Sequence, residues 1–362
     1  MYTLSEKAII FIDGFINLEY KHKRAIIDIY PNIEDIFTKP EIALNYIKAS
    51  LGENASNAIK LALCDSFIND LLLKYQKRDI KIVTEVSENY PKRLISLDFR
   101  PICLYYKGDI TLLNSENIFA IVGSRKTDKS ILKTVEDYSS SLVSSGVCVV
   151  TGIASGVDLS AIKGGIDSGK VISVMACGSD FWNNEANRDY VDKLSRSGLV
   201  VSEYSPEVPP RSYFYPIRNR IIAGLCDGVL IASGNYKSGA RYTANYALDY
   251  GREVFAFPYS INSVGGELCN SLIKDGAHLV MDYSDIAEVM DYNVIKESAI
   301  SLDEREMLVY KSIVNGSSII DDIMVDTNLK IFELMPIITA LEIKGLIINE
   351  GGNQYIKTTK KI

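Results

Sequence analysis

Between residues 117 and 282 the chain alternates short, unbroken apolar runs with stretches of helical spacing, and this alternation limits the available folds more than any other feature. "NIFAIVG", "VCVVTG", "KVISVMAC", "LVVSEY", "DGVLIAS", "EVFAFP" and "HLVMD" read as strands. "KSILKTVEDYSSSLVSSG", "DLSAIKGGIDSG", "NRDYVDKLSRSG", "RNRIIAGL", "ARYTANYALDYG" and "ELCNSLIKDG" read as the helices between them. Strands without a polar face must be covered on both sides, which specifies a parallel sheet layered by helices. The predicted class is α/β, with a doubly wound, mostly parallel sheet in a domain over residues 86–291.

The flanks have other rhythms. Residues 1–85, with "AIIFIDGFINLEY" and "NAIKLALCDSFINDLLLKYQKR", predict a small helical domain ending in the strand "DIKIVTEV", and "ENYPKRL" predicts a linker. Residues 301–362 predict three helices and a hairpin turned at Gly351 and Gly352, a winged-helix pattern, joined by a linker over 292–300. A length of 362 residues suits two or three such units.

Composition excludes several classes. No apolar run approaches the roughly 18–20 residues of a membrane helix, and the N-terminus lacks a signal-peptide pattern. A cytoplasmic protein is expected, with no membrane association. Cys64, Cys103, Cys148, Cys177, Cys226 and Cys269 are widely spaced and are expected to be free thiols in a reducing compartment. Two histidines and no CxxC argue against a zinc site, and no cofactor or metal is expected. The net charge is −7, yet Arg211, Arg218 and Arg220 fall within ten residues free of acid. Local clustering of this kind binds phosphate more effectively than net charge implies.

In an open parallel sheet, ligands bind beyond the carboxyl ends of the strands. The segments there are rich in small residues: "GSRKTDKS" with Gly123, Ser124 and Arg125; "TGIASGVD" with Gly152, Gly156 and Asp158; "CGSD" with Gly178; and "SGNYKSGARYTA" with Ser238, Gly239, Ala240 and Thr243. Helix N-terminal amides would add anion affinity. Taken singly, each is also a plain turn, and Asp158 is equally a helix cap. Together with "PIRNR" (216–220), they are most economically explained by phosphate binding. Tyr213, Phe214 and Tyr215 would either stack bases or fill the core.

Familiar motifs fail. GxGxxG does not follow the first strand. "GGIDSGKV" nearly matches a P-loop, but Val171 replaces the magnesium-binding hydroxyl and the segment runs from helix to strand. No Ser, His and Asp trio is present. Glu203 could act as acid or base, although a salt bridge to Arg218 or Arg220 explains it better. The acidic "DDIMVD" makes the tail a poor groove reader, so protein contact or packing is expected there.

The stretches "YPKRL" with "LYYKGD", "AIVGSR", "TGIASGVDLSA", "VSEY", "FYPIRNRIIAGL", "SGARYTA", "GREVFAFP" and "LIKDGA" resemble, in order, the DNA-processing protein A (DprA/Smf) family across about 90–280. The resemblance implies a Rossmann-like fold that binds single-stranded DNA, forms a homodimer and loads the RecA recombinase in natural transformation, without enzymatic activity. It implies that Arg125 contacts phosphate in a pocket built by Gly123, Ser124, Gly152, Ser155, Gly156, Gly178 and Gly239. Lys129 and Arg188 would add positive charge, and Arg218, Asn219 and Arg220 would brace or line the pocket. The chain departs from the family at Ile162, where histidine is usual, and at Asn183 and Asn184, which replace a Tyr-Pro. It also departs in reading "SGARYT" and "PY", and in lacking the N-terminal helix-hairpin-helix glycines. Two rival classes stand beside this reading: a nucleotide-binding sensor or nucleoside-phosphate-cleaving enzyme using Glu203 or Asp158, and a purely protein-contact module with the winged helix as adaptor.

Overall fold

The computed structural model describes residues 2–63, 65–182, 188–263, 265–293 and 301–358. Nine strands form the central sheet: β1 (Lys81–Thr84), β2 (Cys103–Gly108), β3 (Ile118–Val122), β4 (Cys148–Thr151), β5 (Val171–Met175), β6 (Leu199–Ser202), β7 (Gly228–Ile231), β8 (Glu253–Ala256) and β9 (His278–Leu279). They lie in the order β1-β2-β6-β5-β4-β3-β7-β8-β9. The chain moves outward from β3 through β4 and β5 to β6, then crosses back to β7 on the other side of β3. The seven strands from β3 onward are parallel to one another, with Phe119 opposite Gly228 and Ile118 opposite Cys148. This is the doubly wound arrangement predicted, and its reversal point lies between β3 and β7.

Period-two alternation decides what each face buries. Ile118, Ala120 and Val122 of β3 pack with the helices Phe214–Leu225 and Ala240–Asp249, through Ile221, Ile222, Ala240 and Ala244. Phe119 and Ile121 pack on the opposite side with the helices Lys129–Ser144 and Val157–Gly165, through Val135, Leu142, Val157 and Ala161.

The N-terminal segment forms five helices, Leu4–Asp13, Tyr20–Ile29, Glu41–Leu51, Glu53–Ala62 and Asp65–Gln76. Thr3 and Glu6 start the first with a reciprocal capping box. Ala8 through Ile12 are all buried, because this helix is sandwiched between its neighbours and the sheet. Its Ile9 and Phe11 share one apolar cluster with Tyr105, Val171, Met175 and Val200. Polar links accompany that packing. The Tyr105 hydroxyl donates to Asp13 Oδ2 at 2.6 Å, and Lys23 pairs with Asp13 at 2.8 Å. Glu85 receives both Arg24 (2.6 Å) and Arg100 (2.8 Å).

Here the structure adds to the sequence pattern. β1 lies inside the 1–85 segment, but it pairs antiparallel with β2, which pairs antiparallel with β6. The sheet therefore begins before residue 86. β2 was not anticipated, because Lys107 interrupts its apolar run. The last strand is shorter than "HLVMD" promised, and a further helix, Tyr283–Met290, follows it.

The tail folds as helices Glu304–Val314, Ile320–Thr327 and Ile331–Ile343 and a hairpin of β10 (Ile347–Gly351) and β11 (Gln354–Lys357), the expected order. Val309, Ile323, Leu334, Leu341 and Tyr355 make its own core. Of the expected linker, residues 294–300 lie outside the described residues, as does Cys64.

The other five cysteines are buried and unbridged. Burial pushes the Cys148, Cys226 and Cys269 thiols up to about 12, so almost no thiolate exists near neutrality. A thiol reagent at pH about 8, below these values but near the ordinary thiol pKa, should leave all three unmodified in the native protein and modify them in denaturant. Peptide mass spectrometry reads the sites, and rapid native labelling of any of the three would contradict this packing.

Candidate nucleic-acid interface

The site lies where β3, β4, β5 and β7 open toward the N-terminus of helix Phe214–Leu225. Pro216 falls in that helix's first turn, where a missing amide costs no hydrogen bond. At about 100° per residue, Arg218 and Asn219 lie within about 60° of Tyr215, whereas Arg220 points about 140° away.

Arg220 is correspondingly a brace. Its Nη1 and Nη2 donate to Glu203 Oε1 and Oε2 at 2.8 and 2.6 Å, and its Nε donates to the Phe99 carbonyl at 2.9 Å. Burial opposes its charge, but the Glu203 carboxylate prevails and holds the guanidinium above its usual range. Both carboxylate oxygens of Glu203 are engaged, which accounts for that residue as a positioning partner. Asn219 ties two elements together: its Nδ2 donates to the Gly239 carbonyl (3.1 Å), and its Oδ1 accepts from Arg218 Nε (3.1 Å).

Arg218 is 6% exposed and donates through Nη1 to the Val174 carbonyl of β5. Its guanidinium and the Asp158 carboxylate both press against Gly152. A Cβ there would lie 2.9 Å from the arginine nitrogens and 2.3 Å from Asp158 Oδ2. Glycine is needed because this pair occupies the side-chain space. Asp158 also accepts from the Ala154 amide at 3.3 Å. Burial pushes its carboxyl above the ordinary range, against the pull of Arg218. Burial likewise lowers Arg218, with Asp158 opposing.

The loops interlock above this floor. Gly156 has φ 85°, and a Cβ on it would lie 2.4 Å from the Ser124 carbonyl. The Val157 amide donates to that carbonyl at 3.2 Å, and the Ser124 amide donates to Ser233 Oγ at 3.1 Å. The Ser124 hydroxyl closes its own turn on Lys126. Gly123 packs under Val157 and the Ser233 backbone. What projects is Arg125: it is exposed, with its Cζ 5.3 Å from the Tyr215 ring centroid. Arg125 and Tyr215 are thus exposed together at the strand ends, while Arg218 and Asp158 are buried against Gly152.

Other predicted residues sort unevenly. Ser155 and Lys129 are exposed, with no side-chain hydrogen bond or ion pair among the described residues. Ser238 caps the next helix by accepting from the Ala240 amide at 3.3 Å, and Gly239 is exposed. Arg188 is exposed at a helix start, 3.9 Å from Asp192. Asn183, Asn184 and Asn187 lie outside the described residues. Three of these predicted residues are buried. Gly178 is buried under the 205–208 loop, where a Cβ would lie 2.1 Å from the Ser205 carbonyl, so it serves packing. Ala240 is 5% exposed and packs in the apolar core, and Thr243 is 1% exposed. The sequence reading missed Tyr215 as the partner of Arg125 and Asp158 as the counter-charge of Arg218. The first had a signal, since Tyr215 precedes Arg218 and Asn219 by three and four residues on one helix face.

Residues 81–291 match the model of the family described as DNA recombination-mediator protein A. The chain is similar to the DNA processing protein DprA of Streptococcus pneumoniae, 35% identical over 226 residues, covering 62% of this chain and 79% of that one. It is 34% identical to the DNA processing protein DprA of Bacillus subtilis over 221 residues, 60% and 74% of the two chains. Among solved structures, DNA processing protein A from Streptococcus pneumoniae aligns with TM-score 0.65 and 28% identity, covering 81% of this chain and 99% of that one. DNA processing protein A from Helicobacter pylori, solved for its single-stranded DNA binding mode, aligns with TM-score 0.54 and 27% identity, covering 59% and 97%.

Two outcomes are expected from this geometry. Glu203→Gln leaves Arg220 buried without a counter-charge and should cost about 3–5 kcal/mol in urea unfolding; an unchanged midpoint would remove the bracing role. Asp158 behaves with the opposite sign. Its folded pKa is raised, so its favourable contribution is complete below the ordinary carboxylate value and is lost as pH rises through the folded value. Relative to the wild type, Asp158→Asn should therefore gain stability as pH rises from about 4, the ordinary carboxylate pKa, on top of a cost of leaving the buried Arg218 without its carboxylate. A wild type that gains on the variant as pH rises would contradict the assignment.

Proposed function

The chain belongs to the DNA recombination-mediator protein A family, and from that premise we propose that it is a DNA-processing protein that holds single-stranded DNA in a trough along the strand ends. One observation carries the reading: at the open end of a parallel sheet an exposed guanidinium, Arg125, lies against the exposed ring of Tyr215, on the helix that also carries the buried Arg218. A cation to meet phosphate and a ring to stack on a base are the two elements of sequence-tolerant single-strand binding. The relative from Helicobacter pylori, described by its single-stranded DNA binding mode, supports the same assignment.

The finer reading is that the protein protects an incoming strand, delivers it to the RecA recombinase during transformation, acts as a homodimer in the cytoplasm and does so without catalysis. Among the described residues, no helix is long and apolar enough to cross a membrane. Residues 86–291 would carry the DNA, with 1–85 as the helical domain and 301–362 as the winged-helix domain. The nucleotide-cleaving alternative is less favoured, because Glu203 is held at both oxygens by Arg220 and Asp158 is buried beside Arg218.

Fluorescence anisotropy with labelled oligonucleotides tests the proposal. Single strands should bind more tightly than duplex of the same length. Arg125→Ala should weaken binding roughly tenfold and reduce the salt slope by about 0.7, the share of one single-strand phosphate. Equal affinity for duplex, or an unaffected Arg125→Ala protein, would reject the reading.

A further inference from the structure

A second cation–aromatic couple lies two residues before the first, and resting on the single-strand reading above, we propose that Arg211 and Tyr213 form a base-stacking ledge that makes the trough select unpaired strands. The three consecutive aromatics at the start of the helix have separate environments. Phe214 is half-buried and stacks on Tyr204, with centroids 4.1 Å apart and planes at 26°. Tyr213 stands edge-on to Phe214 at 4.6 Å and is 51% exposed. Arg211 lies over both rings, 6.0 Å from the Tyr213 centroid and 5.8 Å from that of Phe214, and its Nη1 donates to the Tyr213 hydroxyl at 2.8 Å. Among the described residues no carboxylate pairs with Arg211. A tyrosine backed by a packed ring and fixed through its hydroxyl is a rigid exposed π-surface, and the adjacent guanidinium is available to a phosphate.

Position completes the case. Tyr204 follows the end of β6, so the ledge stands at the β6 side of the helix, while Tyr215 reaches Arg125 in the loop after β3. From β3 to β6 are three strand spacings, about 14 Å. A backbone laid across the strand mouths meets Arg125 at one end and the ledge at the other. Paired bases hide their faces in the duplex stack, so only an unpaired strand can use Tyr213, and any base can do so.

Four proteins test this: wild type, Tyr213→Ala, Tyr213→Phe and Arg125→Ala. The probes are an oligothymidylate of about 16 nucleotides, the upper site size of common single-strand modules, its duplex, and the same strand carrying 5-iodouracil. Tyr213 is exposed, so the substitutions should leave the fold intact. Tyr213→Ala should weaken single-strand binding roughly tenfold while leaving duplex binding unchanged, and Tyr213→Phe, which keeps the ring but loses the bond from Arg211, should retain most of the wild-type affinity. Photocross-linking should map to Tyr213. If Arg125→Ala weakens binding but Tyr213→Ala binds the single strand as wild type does, or the cross-link maps elsewhere, the ledge is overturned and the trough stands. If wild type fails to bind the single strand, both fall.

Discussion

A guanidinium taken out of water must find fixed partners for its charge and donors, and this chain buries two on one helix. Arg220 meets Glu203, and Arg218 meets Asp158, Asn219 and the Val174 carbonyl. Apart from Asn219 on the same helix, those partners come from β5, the segment just after β6 and the first turn of helix Val157–Gly165, so the two arginines fix helix Phe214–Leu225 against several elements at once. The rest of the site depends on that orientation. Asn219 pins the loop before the next helix, Tyr215 is turned toward Arg125, and Tyr213 is left outside.

The same helix separates a neutralised interior from a charged rim. The buried arginines carry matching carboxylates, whereas Arg125 and Arg211 have none among the described residues. A chain with a net charge of −7 can therefore present positive charge along one line without becoming basic overall. On the proposed reading, phosphate attraction would be concentrated at the strand mouths, and indiscriminate adhesion limited by the acidic remainder.

The N-terminal helices are not a separate bead. Their core is continuous with β2, β5 and β6, and Glu85 and Asp13 each join a helix to the sheet or its connections. The 205–208 loop lies over Gly178 and is held from the N-terminal side by Lys74 and Arg78 through Glu207. Coverage of the sheet face by these helices is what allows β2 and β6 to be buried, as strands apolar on both sides require.

The doubly wound sheet, its helices and the loops that meet at its mouths were legible in the linear pattern, because burial on both faces leaves a local signature in every strand. Gly152, Gly156 and Arg125 were legible as small or cationic residues at strand ends. The pattern did not show which arginine meets Glu203, although helix periodicity separates Arg218 from Arg220. Nor did it show that β1 crosses from the helical segment into the sheet, or that Gly178, Ala240 and Thr243 are buried. By itself, the sequence determined the class of fold and the edge at which its small and cationic residues gather, since both follow from short-range periodicity. Only the tertiary structure decided which polar groups are consumed in pairs and which stay exposed, because that depends on contacts between residues 17 to 121 positions apart, such as Arg220 with Glu203 and Phe99.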